Sequence, residues 1–161
     1  MAKHEDTRID IAPKLRASMT ALLNAQLADT LDLYTQVKQA HWNVKGPHFI
    51  ALHELFDKLA EGLEDPVDDI AERITALGGV AHGTARMTAK NSTLKDFPDG
   101  RIDGMKAVAA LADRYAVLAK STRAASDTAD DAGDADTADL FTGISRGLDK
   151  ALWFLEAHLS D

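Results

Sequence analysis

Apolar side chains recur every three or four positions along four stretches of the chain, and this pattern restricts the possible folds more than any other feature. When such a stretch is helical, the spacing places one apolar stripe along its length. A bundle of amphipathic helices buries these stripes against one another. The sequence therefore predicts an all-α protein. The predicted helices span residues 14–44, 48–77, 102–126 and 137–159.

The predicted helices are joined by short, long and short connections. Gly46 and Pro47 stop the first helix and let the second begin, and the Asp-rich segment 126–137 forms the turn into the last helix. Residues 80–101 are rich in turn formers and form a long crossover with room for one short helical turn. This order is that of a ferritin-like four-helix bundle. The second helix should continue through Pro66 with a local kink, because its apolar stripe keeps its phase there.

Length and composition restrict the class of protein. The 161 residues suffice for one domain with a buried core, and the absence of cysteine excludes disulfides and thiolate metal sites. A net charge of −8 argues against a surface made generally for nucleic acid. The chain has no apolar run long enough to span a bilayer and no apolar leader, so we expect a cytoplasmic protein without membrane contact. We expect a flexible tail at residues 1–14 and the bundle domain at residues 15–159.

A line of polar side chains runs along the second predicted helix, centred roughly 130° from its apolar stripe. The line faces away from the core of its own bundle, and its simplest interpretation is a solvated acidic face. Two features favour a binding site instead: the line contains no lysine, and it includes pairs spaced four residues apart. The line consists of His53, Asp57, Glu61, Glu64, Asp68 and Glu72.

The pairs His53–Asp57 and Asp68–Glu72 are each spaced to grip one ion from one side. Their centres are fifteen residues apart, which is about 22 Å along a helix, so one chain cannot bring all four side chains to the same ion. An antiparallel copy of the helix across a two-fold axis can, because it places each pair opposite the other pair of its partner. The spacing therefore predicts two equivalent sites per dimer, each shared between two chains.

His41, at the end of the first predicted helix, is positioned to complete the histidine-rich half of each site. It lies in phase with the apolar stripe of its helix, where a single histidine is more often a buried, hydrogen-bonded core residue. Its position beside the turn that leads to His53 and Asp57 favours a ligand.

Two histidines and three carboxylates without a thiolate suit a divalent ion of borderline softness that gains oxygen affinity on oxidation. Iron fits this description, because Fe(II) accepts imidazole and Fe(III) prefers carboxylate. Zinc is the main competitor, because closed His/Asp sites also bind it. Spacing alone does not separate the two metals.

At these residues the chain resembles the Dps family, the DNA-binding proteins from starved cells, which are miniferritins. The resemblance runs from about Leu15 to Leu159, and its two most specific segments are KQAHWNVKGPHFIALHELFD (38–57) and DDIAERITALGG (68–79). Two further segments, LADRYA (111–116) and DTADLFTGISRGLDKALWFLE (136–156), also resemble the family.

The resemblance implies a hollow dodecamer that oxidises Fe(II), preferably with hydrogen peroxide, stores ferric mineral inside and so protects DNA from oxidative damage. It implies that His41, His53 and Asp57 supply one half of a ferroxidase centre with two iron ions. Asp68 and Glu72 of the two-fold partner would supply the other half. This division agrees with the dimer that the spacing required before the family was considered.

The resemblance also bears on residues outside this set. Trp42, next to His41, could accept a stray oxidising equivalent; plain packing at the helix end is the simpler alternative. The acids between 127 and 139 are ordinary partners for a helix N-terminus, whereas in the resembling family acids near the start of the last helix line three-fold pores that admit Fe(II). Asp134 and Asp139 are the most plausible pore residues here.

DNA binding in this family often depends on a lysine-rich tail, and this chain departs from that pattern. Its first 16 residues contain four Lys or Arg and three Asp or Glu, a net charge of +1 before the amino terminus is counted. Each tail therefore releases few counterions, and we expect weak or absent DNA binding at physiological salt. The alternative functions are a nucleoid-compacting DNA-binding protein with incidental iron binding, which would be nucleoid-associated, and a plain structural bundle with an acidic face.

Overall fold

The computed structural model describes residues 5–159, in which two helical hairpins are joined by a long crossover. The α1–α2 and α4–α5 pairs pack most extensively, and α1 also packs on α4. The described elements are α1 (Pro13–Asn43), β1 (Val44–Lys45), α2 (Phe49–Ala76), α3 (Ala85–Asn91), β2 (Ile102–Asp103), α4 (Gly104–Ala132) and α5 (Ala135–Glu156). The predicted all-α, ferritin-like bundle with its long crossover is confirmed.

The predicted boundaries agree with the structure for α1 and α2 and are wrong at the α4–α5 turn. α2 is one continuous helix through Pro66, as its apolar stripe predicted. The third long helix was expected to end near residue 126 but continues to Ala132, and Gly133 at φ 88° ends it. Ala125 and Ala129 explain the extension, because both are buried and keep the helix packed where no large apolar side chain marks it. The crossover contains the short α3, which is longer than the single turn expected.

The core lies where the apolar stripes of the four long helices meet. Tyr115 of α4, Phe56 of α2 and Phe141 of α5 are among its largest fully buried side chains, and the Tyr115 O–H donates to the Leu59 carbonyl at 3.3 Å. Burial raises the pKa of the Tyr115 phenol far above its usual value, so this group stays a neutral donor. Leu23 of α1 is also fully buried.

The crossover is fastened to α1 by a buried carboxylate. Asp29 is 4% exposed and accepts hydrogen bonds from the Thr93 backbone N–H at 2.6 Å, the Thr93 hydroxyl at 2.9 Å and the Ser92 hydroxyl at 3.1 Å. These bonds give the buried carboxylate the hydrogen-bond partners that it needs. Further along, the two-residue strands β1 and β2 pair in parallel, with Val44 opposite Ile102, and join the α1–α2 turn to the start of α4. These strands were not predicted.

The segment before α1 is held against the C-terminal end of α2. The Glu5 N–H donates to the Gly78 carbonyl at 2.8 Å, and the Arg16 guanidinium donates to the carbonyls of Glu5 at 3.3 Å and Leu77 at 3.2 Å. The helix begins at Pro13, close to the predicted boundary of the tail, but the described part of that tail is anchored at Glu5. Residues 1–4 lie outside the described residues, so the expected flexibility there stays a prediction.

None of the helices described between residues 5 and 159 combines the length and apolar character needed to cross a membrane.

Candidate metal centre

His41 and His53 meet across the α1–α2 turn and bond to each other's backbone. His41 Nδ1 lies 2.8 Å from the His53 carbonyl oxygen, and His53 Nδ1 lies 2.9 Å from the His41 carbonyl oxygen. The two rings stack with their centroids 3.8 Å apart at an interplanar angle of 20°. The short β1 segment and the Gly46 turn at φ 119° bring α2 back beside α1 so that this pairing forms.

The two hydrogen bonds determine which ring nitrogen is free to bind a metal. A carbonyl oxygen can only accept, so each Nδ1 must carry the proton and donate it. In the neutral ring the lone pair is then on Nε2. Histidines that bind metals are commonly held in this way, with the second ring N–H donated to a backbone carbonyl or carboxylate. His41 is 9% exposed and His53 is half-buried, so the core interpretation of His41 and the ligand interpretation are compatible.

Asp57 lies next to this pair, one turn after His53 on α2. Its Oδ1 is 3.8 Å from His41 Nε2 and 2.7 Å from the ammonium of Lys38 on α1. The hydrogen bond from Lys38 lowers the pKa of Asp57, and the charges of Lys38 and the nearby imidazoles add to this effect. The same bond raises the pKa of Lys38. Both groups are therefore charged at neutral pH.

His41, His53 and Asp57 form what we call the histidine half-site. The Asp57 carboxylate is closer to Lys38 than to His41 Nε2. Within residues 5–159, no three His, Asp or Glu side chains of one chain are assembled closely enough to hold a metal ion. The chain thus brings together three of the five predicted ligands, but not in a finished coordination shell.

Asp68 and Glu72, the other two predicted ligands, lie further along α2. Both side chains are exposed, and neither makes a hydrogen bond or ion pair with another side chain in the described part of the structure. They lie about 16–22 Å along the helix from Asp57, measured by the rise per residue. The structure therefore does not bring them to the histidine half-site of the same chain. We call this pair the carboxylate half-site.

The carboxylate half-site borders an acidic recess between α2 and the start of α5. The recess has a volume of about 440 Å³ and also contains Arg73. Its acidic lining residues are Asp69, Glu72, Asp136 and Asp139.

Asp134 is occupied by contacts inside the chain. It caps α5 by accepting from the Thr137 N–H at 3.1 Å and the Thr137 hydroxyl at 2.6 Å, and it pairs with the Arg73 guanidinium at 2.7 Å. Its side chain is 1% exposed. Asp134 is therefore a buried helix cap in this chain, which is the alternative that the sequence left open for the acids of this turn. Asp139 is exposed, so the predicted pore role remains compatible with its position.

Three large apolar side chains that are close in sequence to His41 and His53 are exposed on the surface. Trp42 is 63% exposed, Ile50 is 62% exposed and Phe49 is 38% exposed. Trp42 therefore lies outside the core of its own chain. The Lys38 ammonium lies 5.9 Å from the centroid of its ring.

Lys38 is the polar residue near the half-site that sequence reasoning missed. The polar line on α2 contains no lysine, but Lys38 reaches Asp57 from α1. One signal was present: Lys38 precedes His41 by three residues, so both lie on the same side of α1. This spacing alone could not predict the ion pair, because the pair depends on how α1 and α2 bring Lys38 and Asp57 together.

The chain is similar to known proteins over nearly its whole length. Residues 20–161 match the ferritin family, described as a ferritin-like domain. A DNA protection during starvation protein from Agrobacterium fabrum is 43% identical over 159 residues, which is 99% of this chain and 98% of that protein. DpsC from Streptomyces coelicolor superimposes with a TM-score of 0.94 at 30% identity, covering 99% of this chain and 93% of that one. Mycobacterium smegmatis Dps gives 0.93 at 32% identity, covering 98% and 96%.

Proposed function

Because the chain belongs to the Dps family of ferritin-like proteins, we propose that it is an iron storage and detoxification protein that oxidises Fe(II), preferably with hydrogen peroxide. The product would be ferric mineral stored inside a hollow homododecamer in the cytoplasm, which protects DNA from oxidative damage. The observation that carries the proposal is the reciprocal hydrogen bonding of His41 and His53, which leaves Nε2 of each ring free of these bonds, with that of His41 3.8 Å from Asp57.

The active site is proposed to form between two subunits. His41, His53 and Asp57 of one subunit would bind the first iron ion, and Glu72 of the two-fold partner would be its strongest carboxylate ligand and bridge to the second ion. Asp68 of the partner would support or recruit that second ion. Two observations support this arrangement. Both carboxylates are exposed, and the fold of one chain does not bring them to its own histidine half-site. The exposed Trp42, Phe49 and Ile50 give the same surface apolar area to bury against a partner.

The proposed reaction balances without releasing a radical. Two Fe(II) ions give up one electron each, and hydrogen peroxide accepts both electrons and two protons to form two molecules of water. Iron is therefore a substrate, and zinc would compete for the same ligands. Trp42, next to His41, is proposed to accept an oxidising equivalent when only one Fe(II) is present. Asp139, exposed beside the recess at the start of α5, is proposed to help attract Fe(II) to an entry pore.

A double substitution tests the site. His53→Ala with Asp57→Ala should abolish peroxide-driven Fe(II) oxidation and leave the assembled particle intact, as judged by stopped-flow absorbance and size-exclusion chromatography. The control is His82→Ala with Asp113→Ala, because both of those side chains are exposed and outside the proposed site. Full residual activity in the first variant would refute the assignment, and a small particle from the native chain would refute the cage.

DNA binding is the second candidate function, and the structure adds an argument against it. Of the four cations counted in the first 16 residues, Arg16 is 8% exposed and bonded to backbone carbonyls, so it does not face solvent. Lys14 lies within α1, not in the tail. We propose that DNA binding is weak or absent at physiological salt. A gel-shift assay with supercoiled DNA tests this, and retardation at 150 mM salt (a Debye length of about 8 Å) would contradict it.

A further inference from the structure

Lys38 places its positive charge beside Asp57, which is one of the proposed metal ligands. Its ammonium is 2.7 Å from Asp57 Oδ1, and the same oxygen is 3.8 Å from His41 Nε2. A metal ion bound between that oxygen and that nitrogen would approach the ammonium closely. Two cations at such a distance repel each other, and they also compete for one oxygen.

The ammonium is held in place by more than one contact. It lies 5.9 Å from the centroid of the Trp42 ring, within the range of a cation–π interaction, and its side chain is 23% exposed. Glu64, one turn after Glu61 on α2, also attracts it electrostatically. Glu64 is exposed and lies within hydrogen-bond reach of Tyr34, with the hydroxyl 3.4 Å from its carboxylate. Glu64 therefore adds to the negative potential at the ammonium.

We propose that Lys38 is a built-in counter-ion that fills the cation position of the histidine half-site and must be displaced when a divalent metal ion binds. Without metal, the negative charge of Asp57 is balanced by the positive charge of Lys38. The half-site then offers a metal ion little net attraction, so Lys38 lowers its affinity. This inference rests on the proposed function, because it assumes that the half-site binds metal.

Metal titration in the absence of any oxidant tests the role of Lys38. Co(II) is added to the assembled protein, and its visible absorption reports binding to the histidines. Lys38→Met should tighten the apparent Kd about three- to tenfold, since the competing ion pair and the repulsion are both removed. Lys38→Arg should keep the native Kd within about twofold, because the charge is retained. The positions of the Co(II) bands should be the same in all three proteins, since the ligands are unchanged.

Lys45→Met is the matched control. Lys45 is four residues after His41, is exposed and lies over the Phe49 ring at 5.3 Å, but it makes no ion pair with Asp57. The Lys45→Met substitution removes one positive charge from the same surface. It therefore measures the general electrostatic effect on the apparent Kd, which we expect to be under about twofold. A Kd for Lys38→Met equal to that of Lys45→Met, or weaker than native, would overturn the counter-ion role.

A second readout follows the displacement itself. In a Trp153→Phe background, Trp42 is the single tryptophan, because the chain contains two. Zn(II) binding should change its emission when Lys38 leaves the ring, and the change should be smaller with Lys38→Met. Equal changes in both proteins would contradict displacement.

A triple variant separates failure of this inference from failure of the proposed function. Lys38→Met combined with His53→Ala and Asp57→Ala should lose the Co(II) bands. If the bands persist, the metal binds elsewhere and the proposed site is refuted together with this inference. If the bands are lost while Lys38→Met behaves like its control, only the role of Lys38 is refuted.

Discussion

The two halves of the proposed site lie at opposite ends of α2, with His41 of α1 completing the first, and the two halves differ in their contacts. At the N-terminal end, His41, His53 and Asp57 are all bonded within the chain, to backbone carbonyls or to Lys38. At the C-terminal end, Asp68 and Glu72 project into solvent with no described side-chain partner. The side chains of the first half are therefore held by contacts within the chain, whereas those of the second half are not.

The backbone beneath the exposed carboxylates is nevertheless fixed. Arg73, adjacent to Glu72, is paired with the buried Asp134 of α5, and Arg16 donates to the carbonyl of Leu77 just after the helix ends. The C-terminal end of α2 is therefore tied to α5 and to the start of α1, whereas the side chains of Asp68 and Glu72 are exposed. The comparison shows two ways of positioning a side chain. The helix backbone alone sets the positions of Asp68 and Glu72, whereas hydrogen bonds to carbonyl oxygens fix which ring nitrogen of His41 and His53 carries the proton.

The largest expected effect comes from removing the carboxylate half-site. Asp68→Ala with Glu72→Ala should lower the rate of peroxide-driven Fe(II) oxidation more than about 100-fold, since substitutions outside the ligand shell already cost 10- to 100-fold. The Tm should stay within about a degree of native, because surface substitutions change stability little. Differential scanning calorimetry beside the kinetic assay checks both. A large fall in Tm would show that these carboxylates have structural partners.

Arg73→Met should cause the largest loss of stability. It leaves the buried Asp134 carboxylate without its cation, which we expect to lower the free energy of unfolding by about 3 kcal/mol. Arg123→Met is the control: its pair with Asp149 has side-chain exposures of 55% and 49%, and such surface pairs contribute about 0–1 kcal/mol. Chemical denaturation of both variants measures the difference. Equal losses would contradict the structural role of the Arg73–Asp134 pair.

His41→Ala tests whether the histidine half-site is part of the packing. It removes a side chain that is 9% exposed and the hydrogen bond to the His53 carbonyl, so we expect a loss of about 1–2 kcal/mol as well as loss of activity. His82→Ala, at an exposed position, should leave Tm unchanged. If His41→Ala were as stable as native, the contrast between the two ends of α2 would disappear.

The smallest effect is expected at the glycine that follows α2. A Cβ at Gly78, where φ is 81°, would collide with the Glu5 carbonyl oxygen, whereas one at Gly100, where φ is 86°, would meet nothing within 4 Å. Gly78→Ala should therefore cost about 1 kcal/mol more than Gly100→Ala, since both carry the same backbone penalty. It should also free the tail, which limited trypsin cleavage after the exposed Arg8 would detect. Equal cleavage in both variants would show that the Glu5 contact does not hold the tail.

The sequence predicted the helices where large apolar residues mark them and failed where small ones do. Leu and Phe stripes gave α1 and α2 to within a residue of their bounds. The last turns of α4 pack through Ala125 and Ala129. Alanine is common both in helices and in turns of mixed composition, so its spacing did not mark these turns as helical. The Asp residues around them suggested a loop, and one of the acids, Asp134, proved to be a buried cap.

The sequence allowed a prediction of which residues form the candidate site, but not of the contacts that they make. The spacing of His53, Asp57, Asp68 and Glu72 along one helix could be read from the sequence and already required a second chain. The reciprocal bonds between His41 and His53, and the reach of Lys38 to Asp57, depend on how closely α1 and α2 approach. Periodicity gives the face of each helix but not the distance between helices.

Subunit mixing tests the central claim most directly. Chains with His53→Ala and Asp57→Ala are refolded with an equal amount of chains with Asp68→Ala and Glu72→Ala, and Fe(II) oxidation by peroxide is measured. Each mixed dimer would regain one intact site, with the histidine half from the second chain and the carboxylate half from the first, so random pairing predicts about one quarter of native activity. Mixed particles as inactive as either parent would show that no site is shared between chains.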